Sequence, residues 1–417
     1  MNKIFSTLTL SIISMIASAQ NRFPKPDFES GYQYPQVHYV VPGEVFWSMV
    51  DLLMLVALML VAAWAVIRKR SRRPVIAISL VSVCYFGFFR YGCVCSIGSI
   101  QNVALALTDS SYILPPVVAL FFLLPLLFAL LFGRVFCSGV CPFGALQDLV
   151  HIKNYRLSRV VSKTLGILPW IYLAFAVLFA VMRSGFMICR FDPFVGIFRL
   201  GGDSMLILFG VLLLVLSIFT GRPFCRFLCP YGALLSLFSC VSVWKPKITP
   251  NCNNCQLCHH ACPVDAILPP CENRVEESRR EGVGRIIRYF FVLPVMIALG
   301  AVMMRMMSDT FSRVDKNVRL YEMVAEHEAR PQGVASLEVE AFYGQGGAVE
   351  MLKTETERIK REFKVWSALA GAFIGLVIGL TLIQLSVKRM RRAYEIDHTS
   401  CVSCGRCFGY CPQTNRK

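Results

Sequence analysis

Histidine is scarce. The chain has six among 417 residues, at His38, His151, His259, His260, His327 and His398, and none falls inside a long apolar stretch. That excludes a haem b held between two histidines within a bilayer. No glycine-rich phosphate loop follows a strand pattern, and no Ser-Gly-Ala-Thr stretch offers a hydroxyl for covalent flavin, so any flavin must come from a partner. Acidic residues are few as well, 26 against 43 Lys and Arg, giving a formal net charge of +17. This excess does not point to nucleic acid, because no basic face interleaved with aromatics lies outside the apolar stretches.

What the chain has in abundance is apolar length. Hydrophobic residues make up 55% of it and the mean hydropathy is +0.56, too apolar for a soluble domain. Seven stretches, at 46–67, 75–89, 112–132, 165–182, 204–220, 286–304 and 366–387, each approach the roughly 20 residues that a bilayer core demands. Before them, Lys3, an apolar run from Ile4 to Ile16 and Ala17-Ser18-Ala19 ahead of Gln20 read as a signal peptide over 1–19. The expected fold class is therefore an all-α polytopic membrane protein of about seven spans. Arg68, Lys69, Arg70, Arg72 and Arg73 follow the first stretch, and Lys388, Arg389, Arg391 and Arg392 follow the last. Basic runs flush against spans mark the cytoplasmic side. They predict a bacterial inner (cytoplasmic) membrane protein with residues 20–45 and the long loop 305–365 on the periplasmic face. In that loop Glu322, Glu326, Glu328 and Arg330, then a break at Pro331 and Gly333, then Glu350, Lys353, Glu357 and Lys360 predict two solvated helices that dock a partner or act as a spacer.

Eighteen cysteines are the chemistry-bearing feature. Cys252-x2-Cys255-x2-Cys258-x3-Cys262-Pro263 is repeated as Cys401-x2-Cys404-x2-Cys407-x3-Cys411-Pro412. This is the bacterial ferredoxin run for 4Fe-4S clusters, in which the cysteine before proline ligates the other cluster. Zinc sites pair two cysteines at each of two knuckles and gain nothing from three in a row plus Cys-Pro. The rule predicts one cluster on Cys252, Cys255, Cys258 and Cys411 and a second on Cys401, Cys404, Cys407 and Cys262. It requires the 388–417 segment to return beside 246–285, a small cytoplasmic bacterial-ferredoxin-like 2x(4Fe-4S) module. The alternative is one cluster per motif.

A second repeat lies in the membrane core, 46–245. Cys137-Ser-Gly-Val-Cys141-Pro142-Phe-Gly144-Ala-Leu-Gln147 recurs as Cys225-Arg-Phe-Leu-Cys229-Pro230-Tyr-Gly232-Ala-Leu-Leu235. On the opposite face, Cys93-Val-Cys95-Ser-Ile-Gly98-Ser-Ile-Gln101 and Cys189-Arg-Phe-Asp-Pro193-Phe-Val-Gly196 are weaker copies. The pattern reads as a tandem duplication whose two-span units keep one orientation. Cys137, Cys141, Cys225 and Cys229 could hold a further iron-sulfur cluster, form a redox thiol pair or serve structure. Cys93, Cys95 and Cys189 could form an outer site or a disulfide. Cys84, Cys240 and Cys271 read as small buried residues or inert thiols.

On these residues the chain resembles the NosR/NapH-type membrane iron-sulfur proteins, over roughly 75–267 plus 401–412. The resemblance implies electron transport between a cytoplasmic ferredoxin or the membrane quinol pool and a periplasmic flavoprotein or reductase. It implies equally a maturation or regulatory role for such a reductase, and in either case a subunit of an oxidoreductase system. The family's larger members begin with a periplasmic flavin-binding domain, which residues 20–45 are too short to form.

Overall fold

The computed structural model describes residues 45–92, 96–199, 201, 203–249, 252–271, 278–329, 336–344, 348–386, 391 and 393–413. The signal peptide and the segment up to residue 44 lie outside the described residues, and so do Cys93 and Cys95.

The protein is mostly helical, and each of the seven apolar stretches is helical over most of its described residues. Among the described residues four helices are long and apolar enough to cross a membrane: Phe46–Arg68, Val160–Val181, Arg279–Met306 and Val349–Ser386; a fifth span results if Pro193–Arg199 and Ser204–Phe219 count as one bent pair. Arg73–Phe89 and Pro116–Phe132 are shorter apolar helices. At 1.5 Å per residue, Pro116–Phe132 reaches about 26 Å, at the lower edge of what a bilayer core of about 30 Å needs.

The expectation for 305–365 needs correction. Lys316–Ala329 and Leu337–Gly344 are helices of their own, but the Glu350 to Lys360 pattern belongs to Val349–Ser386, 38 residues that run unbroken into the last apolar stretch. The part of this helix from Gly371 to Ser386 pairs with Arg279–Met306, which starts with a capping box between Ser278 and Glu281. The pair approaches backbone to backbone at Gly300, Gly371 and Gly375, where any Cβ would overlap the facing helix: Gly371 against the Gly300 carbonyl, Gly375 against that of Met296. Small residues at such contacts are how helices associate without a hydrophobic driving force.

One acidic residue lies inside the first apolar helix. Asp51 is buried and receives Arg90 Nη2 at 2.6 Å and the Tyr85 hydroxyl at 3.0 Å. The main core lies between the two cysteine repeats. Phe143, Phe194, Phe198 and Phe224 are buried there, with Phe143 5.5 Å from Phe194 and Phe194 5.1 Å from Phe224, centroid to centroid. Cys84, Cys240 and Cys271 are exposed, contrary to the expectation of small buried residues. Cys84 lies on the apolar helix Val83–Phe89, where a bilayer would accept an apolar side chain without burial inside the protein.

The only sheet among the described residues is small and joins distant segments. Ile267–Leu268 (β1) pairs antiparallel with Glu395–Ile396 (β2) in the register Ile267↔Ile396, and a bridge at Cys271↔Arg391 extends it. The Asp397 amide donates to the Ala266 carbonyl at 2.7 Å. The C-terminal segment therefore lies against residues 252–271, brought back by the helix pair.

Candidate functional site

Three cavities ringed by cysteine are grouped on this framework. The first is lined by Cys262, Cys401, Cys404 and Cys407, the second by Cys252, Cys255, Cys258 and Cys411, and the third by Cys137, Cys141, Cys225 and Cys229.

The crossing of the fourth cysteine has a local cause. In each ferredoxin motif the second and fourth residues after the start of the loop adopt positive φ: Asn254 (56°) and Gln256 (61°) in one, Ser403 (53°) and Gly405 (72°) in the other. Alternating left-handed residues turn successive backbone N–H groups toward one point, a concavity suited to an anionic group. One helical turn follows, Leu257–Ala261 or Arg406–Tyr410. It is stopped by Cys262 or Cys411 in extended conformation, as the residue before proline must be. The turn carries that cysteine away from its own loop and into the neighbouring cavity.

Burial dominates the electrostatics of the first cavity. It pushes the Cys262 thiol up to about 11, with Cys404 adding repulsion, and the Cys401 thiol up to about 12, with Cys262 and Cys404 acting the same way. Cys407 is raised further by burial and by Cys404, Cys401, Cys262 and Cys258, the last from the second cavity. Thiolates so placed need a cationic centre between them. Backbone amides already point at the sulfurs: Ala266 N lies 3.3 Å from Cys262 Sγ.

A single zinc ion would draw four sulfurs to within about 3.8 Å of one another. No three His, Cys, Asp or Glu side chains among the described residues are grouped closely enough to hold one ion. Cavities each ringed by four thiols fit a polynuclear iron-sulfur group.

At the third cavity all four cysteines are buried. Arg134 Nη2 lies 3.9 Å from Cys137 Sγ, Gln147 Nε2 lies 3.7 Å from Cys225 Sγ and Gly232 N lies 3.2 Å from Cys229 Sγ. Donors to sulfur of this kind tune bound clusters. Gln147 also accepts the Phe224 amide at 3.1 Å, one residue ahead of Cys225. In the weaker repeat, Gln101 accepts the Ile188 amide at 2.9 Å, one residue ahead of Cys189. Asp192 receives the Phe194 amide at 3.0 Å much as Cys229 receives that of Gly232. Both glutamines stand six residues after a motif cysteine, so the duplication is written in contacts as well as in letters. Cys189 is exposed on the short Met187–Phe191 helix. Replacing Gln147 with Leu strands the buried Phe224 amide, and we expect a loss of about 1–3 kcal/mol, to be read as a lower melting temperature in detergent with the first two cavities undisturbed.

Several residues around the cavities carry no motif signal. Asp148 is 4% exposed and meets three arginines, Arg222 at 3.2 Å, Arg72 at 3.3 Å and Arg406 at 3.3 Å. Burial raises its carboxyl, but Arg222, Arg72 and Arg406 outweigh that and hold it below the usual range. His259 bonds the Ile267 carbonyl through Nδ1 (2.7 Å) and meets Arg156 through Nε2 (3.1 Å). Burial and Arg156 keep it neutral, with the proton on Nδ1. It packs on Tyr394, which lines the second cavity.

Comparison with known proteins fits this chemistry. The family described as 4Fe-4S binding domain matches residues 114–159 and 204–249, one match over each Cys-x3-Cys-Pro loop. The chain is similar to an uncharacterized protein of Methanocaldococcus jannaschii, 29% identical over 43% of this chain and 77% of that one. It is similar to the regulatory protein NosR of Stutzerimonas stutzeri, 29% identical over 48% of this chain and 30% of NosR. It is also similar to the ferredoxin-type protein NapH of Escherichia coli K12, 30% identical over 35% of this chain and 53% of NapH. The chain thus spans about a third of NosR and about half of NapH. No solved structure matches it. The class these observations define is a membrane-associated iron-sulfur protein with electron-transport and regulatory relatives, and the resemblance to the NosR/NapH type holds.

Proposed function

We propose that this protein passes electrons between a cytoplasmic donor, ferredoxin or the quinol pool, and a periplasmic acceptor, an FMN-binding flavoprotein or a reductase. It acts as a subunit of an oxidoreductase system. The observation that carries this reading is the succession of three cysteine-lined cavities: the Cys258 thiol of the second lies near enough to Cys407 of the first to repel it, and Arg134 of the third donates to the Thr399 carbonyl at 3.1 Å, two residues before Cys401 of the first. Cys252, Cys255, Cys258 and Cys411 would hold one 4Fe-4S cluster, Cys401, Cys404, Cys407 and Cys262 a second, and Cys137, Cys141, Cys225 and Cys229 a third. Such groups supply one-electron storage at fixed points. The chain's own part is to hold the thiolates, shield them from water and direct N–H donors at the sulfurs. The ferredoxin motifs would face the cytoplasm, since the basic runs flank them. Cys189, with Cys93 and Cys95, would mark the outer terminal.

Iron and acid-labile sulfide analysis of the purified, reduced protein tests the assignment. About twelve irons per chain are expected, about eight would leave the third cavity empty, and zinc in place of iron would refute it.

A second reading, a redox sensor or maturation factor for a periplasmic reductase, is favoured by the regulatory name carried by NosR and by the outer helices. There Glu322 meets Arg313 at 3.2 Å and Lys360 at 3.9 Å. Rapid oxidation of the protein by an envelope-side acceptor in vesicles supports the conduit. Tight client binding without that oxidation supports the sensor.

A further inference from the structure

Arg222 is the most confined charged residue described in the protein. It is 0% exposed, and its backbone is left-handed with φ 52°, a conformation that a non-glycine residue adopts only when its surroundings hold it there. The neighbouring Gly221 explains the tightness, because a Cβ there would overlap Pro263, the proline after Cys262. The Arg222 side chain lies behind the third cavity, against the backbone of Cys137, one of its lining residues. It donates to the Cys137 carbonyl and, at 2.7 Å, to that of Ser138. Arg222 Nη1 and the sulfur of Cys225 both touch the point where a Cβ on Gly144 would lie, at 3.5 and 3.4 Å.

The second arm of the guanidinium meets Asp148 at 3.2 Å. Asp148 also binds Arg72, whose Nη1 reaches the Cys404 carbonyl at 3.5 Å, and Arg406, two residues beyond Cys404. The contacts form one line, buried at Arg222 and Asp148 and part-buried at Arg72: Cys137 carbonyl, Arg222, Asp148, Arg72, Cys404 carbonyl. Its ends are ligand residues of the third and first cavities. The four ionic groups carry three positive charges against one negative, and Asp148 sits between the cations.

We infer that Arg222 and Asp148 form a shared electrostatic node that sets the reduction potentials of the groups held in the first and third cavities together. Adding an electron to either group adds negative charge, which a nearby buried cation favours and a nearby carboxylate opposes. Arg222 is a positioning residue: it touches no sulfur as a ligand, and it acts through the field it exerts and the backbone it holds. The inference rests on the reading that both cavities hold iron-sulfur groups.

The test is an EPR-monitored redox titration of the purified holoprotein, with iron content measured on each sample. Arg222→Gln is expected to lower both potentials, shifting each reduction equilibrium by roughly tenfold, which for one electron is 59 mV. Asp148→Asn is expected to raise both by a comparable amount, and Arg222→Lys to stay near the parent. A purely structural role would not produce opposite signs from two neighbouring substitutions. If the glutamine variant loses iron, Asp148→Asn, which leaves every arginine in place, decides the matter. Unmoved potentials at full iron content, or a shift confined to one centre, overturn the node while leaving the three-cluster reading intact. About eight irons in the parent protein overturn both.

Discussion

Cys411→Ser is expected to remove one cluster and to choose it by position in space over position in sequence. Iron falls from about twelve to about eight per chain, and the signal lost is that of the group bound by Cys252, Cys255 and Cys258, 153 residues or more upstream. Cys411 lines their cavity, whereas its own motif partners Cys401, Cys404 and Cys407 surround the cavity that contains Cys262. Cys262→Ser is the reciprocal case and leaves the second cavity loaded. Combining Cys411→Ser with Cys258→Ser should cost no more iron than either alone, since both empty the same site. If Cys411→Ser abolished the signal of the 401–407 group instead, each motif would serve its own cluster and the crossed arrangement would be wrong.

The second large effect is expected at the glycine contact between Arg279–Met306 and Val349–Ser386. Gly371→Leu places a branched side chain where a lone Cβ already overlaps the Gly300 carbonyl and lies 2.7 Å from the Met304 Cβ. No rotamer removes an overlap that begins at Cβ, so the helices must part. We expect a loss of about 3 kcal/mol, at the upper end of overpacking effects, and a melting temperature lower by roughly 5 °C or more. Gly282→Leu, in the same helix pair but with open space around it, is the control and should leave melting unchanged. Equal melting of the two variants would show that the close approach carries no weight.

What could be read from the letters and what could not divide along physical lines. Ligand spacing is local chemistry: Cys252 to Cys262 must form a loop of fixed reach whatever surrounds it, so the motif and the proline that turns its last cysteine outward are legible. Apolar length is equally local, and each of the seven stretches is helical over most of its described residues. The Glu350 to Lys360 pattern gave the helix but not its continuation, because a charged helical period and an apolar one join without any residue that stops a helix. Asp148, Arg72, Arg222 and Arg406 look like ordinary loop and helix-end charges, and only a fold that unites residues 72, 148, 222 and 406 gives them one address. Gln147 and Gln101 did have a signal, the shared six-residue offset from a cysteine, but its meaning as a bond to the opposite repeat needed coordinates.

The β1–β2 pairing has a consequence for how the protein is made. Its first strand is synthesised more than a hundred residues before its second, and a helix pair must be inserted into the membrane between the two. Neither cavity is complete until the tail has docked, since it brings Cys401, Cys404 and Cys407 to the first and Cys411 to the second. If the two cavities hold clusters as proposed, loading comes after the tail has docked, and a chain stalled at the hairpin presents three thiols of the second cavity and the lone Cys262 of the first. The strand pair would thus make completion of the two cysteine-ringed cavities conditional on correct placement of the tail.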